Sequence, residues 1–278
     1  MPNFFWYLLL FIFTGLMLYS AGIKDKKRAI VLWLFNSGLS YLFELVVYVM
    51  YNCYLYKPDV FKDPFVDSTF GSIFSQGLSV PAAATVAALF KSGAASILIF
   101  SYIFSAIEVL FLHLDIYEHV WWKTSYTFFF IPVLFSISKL WYWLLKKGRI
   151  QTLFITHYVC MITLSTTITW LLFAIRPTVL FHFGLFEEPS RDHTFANAIY
   201  FIAVSLFYSI FAFTKWKTLK LLLFILLLAA DYLLVQHHVI LIHHAMDGAG
   251  LVLTHLYFWG ASLLLGKQLQ PPLHRHEE

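Results

Sequence analysis

The sequence predicts an all-α, polytopic transmembrane helix bundle of about nine spans, N-terminus outside and C-terminus cytoplasmic. Three observations carry this. Apolar residues make up 60% of the 278-residue chain and charged residues 12%, far from the roughly 45–50% and about 25% of a soluble domain. Nine apolar runs are long enough for a hydrocarbon layer of about 30 Å, which takes roughly 20 helical residues. They lie near 4–22, 29–54, 71–90, 93–114, 126–145, 150–175, 195–214, 221–244 and 249–266. With the N-terminus outside, the inner segments hold thirteen Lys and Arg and the outer ones five (Lys57, Lys62, Lys123, Arg176 and Arg191), the positive-inside asymmetry.

In chain order, the first run has no basic residue before it and Lys24, Lys26, Lys27 and Arg28 after it. That is the reverse of a signal peptide, so a retained span is expected. In the second, Asn36, Ser40, Glu44, Tyr48 and Asn52 recur every four residues and draw one polar stripe. The third is interrupted by Gln76 and Pro81, but its small residues at 79–85 allow close helix approach, so it belongs at the centre of the bundle. Ser72, Gln76 and Ser79 share a face there, as do Ser101, Ser105 and Glu108 on the fourth, and the three faces are expected to line a common polar core. Cys53 near the outer end of the second span and Cys160 near the middle of the sixth differ in depth, so both are expected to be free thiols. Segments 55–70 and 176–194, with Pro58, Pro64, Pro177 and Pro189, are expected to be loops or interfacial pieces. No internal repeat stands out, and one integral membrane domain over 1–278 is expected.

The net charge of +4 resides in short interhelical segments, where topology accounts for it, so nothing supports nucleic-acid binding. The expected partners are membrane lipids. An ionisable side chain deep in lipid costs from about 2.5 kcal/mol upward and usually faces a protein interior or a water cavity. Glu44, Glu108 and Asp231 are such groups. They are candidates to couple an ion or proton; alternatively they bond one another and fix helix packing.

Nine of the twelve histidines fall on the outer side. The densest run, Gln236 to Asp247, is expected to end the eighth helix, putting His237 and His244 on one face, with His255 entering the ninth helix shortly after. His237, His238, His243, His244 and His255 are therefore candidate metal or haem ligands, since imidazole with carboxylate suits zinc, iron or copper. Interfacial histidines and pH sensing are the other readings. No HExxH, di-iron HxxHH, phosphate loop or nucleophile elbow accompanies them. No cofactor is named by the pattern.

The stretches Phe43-Glu44-Leu45, Tyr54 to Pro58, Gly71 to Pro81 and Trp121 to Thr124 resemble a group of small, uncharacterised multi-pass membrane proteins of spore-forming Gram-positive bacteria, over about the first 145 residues. The resemblance implies a bacterial plasma or spore membrane and no particular activity. Three functions stay open: a transporter or channel-like protein using the buried acids, a metal or haem protein using the outer histidines, and an envelope component without chemistry of its own.

Overall fold

The computed structural model describes residues 2–242 and 245–269. Among the described residues the regular structure is helical apart from two short antiparallel strand pairs, and eight helices are long and apolar enough to cross a membrane. It divides into two compact units, Met1–Lys146 and Lys147–Glu278.

Unit 1 opens with α1 (Phe4–Glu44), which breaks at Asp25 (φ −158°, ψ 85°). Asp25 causes and caps the break. Its carboxylate accepts the backbone N–H of Arg28 at 3.2 Å and pairs with the Arg28 guanidinium at 2.8 Å, starting a new helix among the charged residues expected between the first two spans. A π-helical segment, Leu45–Met50, completes this second rod, and β1 (Tyr54–Tyr56) follows. Then come α2 (Pro64–Ser72), a π segment (Ile73–Ser79) and α3 (Val80–Leu89), together one rod of 26 residues. The unit ends with α4 (Ala94–His113), β2 (Tyr117–His119) and α5 (Thr124–Lys147).

The third rod starts earlier than the sequence predicts. Segment 55–70 is not all loop, because Asp63 caps the backbone N–H groups of Phe65 and Val66 at 2.9 Å and Pro64 takes the first helical position. Pro81 does not break the rod either: the wider π turn before it relieves the i→i−4 pattern that proline interrupts. Its place at the centre of unit 1 is as expected, with 67% of its most apolar window buried against 17–28% for the unit's other long helices. Ala82, Ala83, Ala84 and Ala87 are fully buried. Gly71 is required where this rod meets β1, since a Cβ there would lie 2.4 Å from Tyr56 Cβ. Gly71→Ala should cost about 2 kcal/mol by overpacking, read as a lower unfolding midpoint in detergent; an unchanged midpoint would show that β1 shifts freely.

Unit 2 runs α6 (Ile150–Ile175), β3 (Val179–Phe181), α7 (Pro189–Phe213), α8 (Lys217–Gln236), β4 (Ile240–Ile242) and α9 (Ala245–Leu269). Here too the helix of the 176–194 segment begins at its proline, Pro189. Contrary to the expectation of no internal repeat, unit 2 restates the plan of unit 1 after Asp25: helix, strand, helix, helix, strand, helix. Phe61, Pro64, Asp67, Thr69 and Phe70 return 125 positions later as Phe186, Pro189, Asp192, Thr194 and Phe195. β1 pairs with β2 (Tyr56 opposite Tyr117) as β3 pairs with β4 (Phe181 opposite Ile240). Left-handed residues occur at matching places, Asp59 (φ 58°) with Gly184 (φ 69°) and Asp115 (φ 53°) with His238 (φ 57°).

The two shared aspartates explain the shared loop. Asp67 accepts the backbone N–H groups of Asp59, Val60 and Phe61 at 2.7–3.0 Å. Asp192 accepts those of Phe183, Gly184, Leu185 and Phe186 at 2.8–3.3 Å and also contacts His182. In each unit the helix that carries the aspartate thus folds the preceding loop over its own first turn.

Candidate functional site

Glu44 is the last α-helical residue before the first π segment, and Ser72 the last before the second. π turns often mark functional positions. The Ser72 hydroxyl donates to Glu44 Oε2 at 2.8 Å, and the Tyr54 hydroxyl donates to Oε1. The carboxylate is 5% exposed. Tyr54 is set by the pairing of β1 with β2, stacks on Tyr48 at 5.8 Å and meets Tyr117 and Trp122 at 5.5 Å between ring centres. Burial above all pushes the Tyr54, Tyr56 and Tyr117 phenols well above the ordinary tyrosine value, so all three are neutral hydroxyls.

Glu108 sits in the last turns of α4. Thr127 of α5 donates to its Oε2 and in turn accepts the Trp122 indole N–H at 2.8 Å, while His119 Nε2 of β2 lies 2.9 Å from Oε1. Beneath this group lies a cavity of about 290 Å³. Its wall is mostly apolar and aromatic, with Ser40, Ser75, Gln76, Ser79, Thr127 and Glu108 among its polar groups. The three polar faces read from the sequence meet in part: Ser40, Gln76, Ser79 and Glu108 share this wall, and Glu44 reaches Ser72. Ser101 instead turns back to Ile97 O, and Asn36 is drawn to Thr85 and Ser138 at 3.0 and 2.9 Å.

Asp231 of α8 stands 123 positions after Glu108, at the equivalent place in unit 2. It accepts the Tyr200 hydroxyl hydrogen bond through Oδ1, and its Oδ2 lies 2.7 Å from His255 Nε2, a close contact outside hydrogen-bond alignment. The Tyr200 oxygen is 3.1 Å from the same nitrogen, and the Tyr208 oxygen 2.6 Å from Nδ1. His255 is fully buried. In the same unit His157 donates from Nε2 to the Ser262 carbonyl at 3.0 Å, and its Nδ1 lies 2.9 Å from the Ser209 hydroxyl oxygen. Position 44 is matched in unit 2 by Thr169, whose hydroxyl meets Asn197 at 3.1 Å as Glu44 meets Ser72.

The histidine-rich run is not a helix end. α8 stops at Gln236, His238 takes a left-handed conformation, and 240–242 form a strand, so the helix does not run on through the histidine-rich run as expected. The reversal follows from the hydrogen bonds of the turn, His238 N to Val235 O at 3.1 Å and Val239 N to Leu234 O at 2.8 Å. His237 and His238 are exposed, whereas His255 turns to Asp231. His243 and His244 lie outside the described residues. Among the described residues no group of three or more His, Cys, Asp or Glu side chains is placed to hold a metal. Cys53 and Cys160 are both buried and not joined in a disulfide.

The residues that sequence reasoning missed are Tyr54, Tyr200 and Tyr208, the phenols on the buried acids, and Asp67 and Asp192, which fold the loops. The five-residue match 125 positions apart was the signal for the aspartates. A scan against protein-family models finds no match, and searches of curated proteins and of solved structures find none.

Proposed function

We propose that this chain is a polytopic membrane protein of transporter or channel type, in which the unit 1 cavity receives a solute and Glu44, Glu108 and Asp231 are the groups through which a proton or cation is coupled. The observation that carries this reading is Glu108 on the wall of a cavity among helices apolar enough to span a bilayer. A carboxylate in such surroundings usually faces a protein interior or a water cavity and marks a functional site by default.

Membrane insertion is supported by broad exposed apolar faces, such as Leu98, Ile99, Tyr102 and Ile103 on α4 and Leu221, Leu222, Ile225 and Leu226 on α8. No polar solvent contact explains such faces; lipid does. Counting the two parts of α1 separately gives nine spans, and the basic-residue asymmetry puts the N-terminus outside. Each copy of the repeated plan then crosses four times in the same sense, with its strand pair on the outer side, as in transporters built from parallel repeats. A bacterial plasma or spore membrane rests on the resemblance described above, whose extent matches unit 1.

The test is flux in proteoliposomes. Vesicles holding wild-type protein should dissipate an imposed pH gradient faster than protein-free vesicles when a panel of small solutes is added, and Glu108→Gln should slow this at least tenfold with its unfolding midpoint retained. Wild-type vesicles indistinguishable from empty ones across the panel would overturn the carrier reading.

A further inference from the structure

We infer that the unit 1 cavity is a binding site for a small lipophilic cation, an aromatic or alkyl amine or quaternary ammonium, held by an aromatic wall with Glu108 as its counter-ion. This rests on the cavity being the solute site proposed above and names the class of solute.

The wall has two features that together select charge. Eight of its residues are aromatic: Phe43, Tyr54, Tyr56, Phe104, Phe111, Tyr117, Trp122 and Phe130. Six of these form one connected ring cluster. Trp122 meets Phe43, Tyr54 and Phe130 at 5.5–6.1 Å between centres, and Tyr117 meets Tyr54 and Tyr56 at 5.5 and 4.8 Å. Ring faces carry negative electrostatic potential, so such a wall attracts a cation even without a formal charge.

The second feature is sign. Glu108 is the one acidic residue of the wall, and no Lys or Arg lines it. Each Glu108 oxygen has one partner, His119 on Oε1 and Thr127 on Oε2, whereas a carboxylate offers about four acceptor sites. Thr127 and Trp122 hold the carboxyl group in place through a chain of donors, so it is oriented before a ligand arrives. An anion would meet this carboxylate with no Lys or Arg among the described wall residues to receive it. A neutral apolar molecule would gain the wall and leave the carboxylate unused. Ser40, Ser75, Gln76 and Ser79 supply acceptors for ammonium hydrogens on the other walls. The apolar remainder, with Leu10, Ile131 and Leu134 in it, takes the organic body.

The volume of about 290 Å³ is at the lower end of small-molecule sites, which suits a ligand of one ring with a small charged head. Benzyltrimethylammonium is the probe. Its uncharged carbon isostere neopentylbenzene has the same shape, and benzenesulfonate has a ring of similar size and the opposite charge.

Binding is measured by equilibrium dialysis of the labelled probes with the full chain in detergent, each preparation checked by its unfolding midpoint. The expected result is saturable binding of about one benzyltrimethylammonium per chain, at least tenfold tighter than neopentylbenzene, with no saturable binding of benzenesulfonate. Glu108→Gln should weaken the cation at least tenfold and leave the isostere unchanged. Glu118→Gln, which removes a charge from the exposed pair with Lys57, should leave both unchanged. Phe43→Leu should weaken the cation severalfold, so the aromatic half of the inference is tested even if Glu108→Gln fails to fold.

Equal binding of the cation and the isostere would show a lipid-filled gap and overturn the inference. So would unchanged cation binding in a folded Glu108→Gln. Binding in detergent does not depend on flux: selective binding without transport overturns the carrier reading alone, and transport without cation selectivity overturns this inference alone.

Discussion

Asp192→Ala should lower the stability of the protein by about 3 kcal/mol, and Asp67→Ala by nearly as much, because each removes the acceptor for a whole loop. Asp192 takes four backbone N–H groups, from Phe183 to Phe186, and Asp67 takes three. Hydrogen bonds to a charged acceptor contribute about 1.5–3 kcal/mol each, but these donors are only partly buried and water replaces some of the loss. Asp192→Asn keeps one carbonyl acceptor and should cost about half as much as the alanine change. The measurement is equilibrium unfolding in detergent, together with the rate of proteolysis of the loop each aspartate holds, which should rise at 183–186 in Asp192→Ala and at 59–61 in Asp67→Ala. Midpoints within error of wild type would show that strand pairing alone holds these loops.

The second large effect is expected at His255. His255→Ala should cost about 3 kcal/mol, since it leaves the buried Asp231 Oδ2 and the Tyr200 and Tyr208 hydroxyls without the imidazole they face. The double variant Asp231→Leu/His255→Ala removes both halves and should be less destabilised than the sum of Asp231→Leu and His255→Ala, with a coupling of about 2 kcal/mol in the double-mutant cycle. Tyr200 and Tyr208 would then lose their partners, which keeps the double variant below wild type. An additive cycle would mean that the two side chains do not interact energetically despite the 2.7 Å contact. A double variant that is stable yet inactive in the flux assay would place the pair in function rather than in packing.

The units differ in the chemistry placed on one plan. Unit 1 puts its upper acid at a cavity, bonded by a histidine and a threonine; unit 2 puts the equivalent acid in a closed group with two tyrosines and a histidine. Glu44 has become Thr169 in the second copy, which removes the other buried carboxylate while keeping its hydrogen-bond position. The acids that differ between copies are therefore informative targets for assigning function.

The long helices were legible because runs of about 20 apolar residues, the length that crosses hydrocarbon, are plain whatever the neighbours are, and α6 has the predicted bounds 150–175. The polar stripe through Ser40 and Glu44 was legible from helical spacing alone. The histidine run was misread because apolar periodicity does not show where a helix stops: Asp231 and His255 were both singled out, but His255 was grouped with the histidines of the turn. What ended α8 was a left-handed residue and pairing with β3, a strand 61 positions earlier (179 and 240).

The sequence by itself determined the helical class, the position of most of the long apolar helices and which acids stand within them, since each follows from apolar run length and the rarity of charge inside such runs. Tertiary structure alone decided which partners those acids found. Three-residue strands have no pattern of their own, and they deliver Tyr54 to Glu44 and His119 to Glu108 through pairings more than 60 residues apart in the chain. The repeat lay between these cases: its common residues were in the sequence, but they are backbone anchors whose shared purpose shows only when both loops are seen folded onto their aspartates.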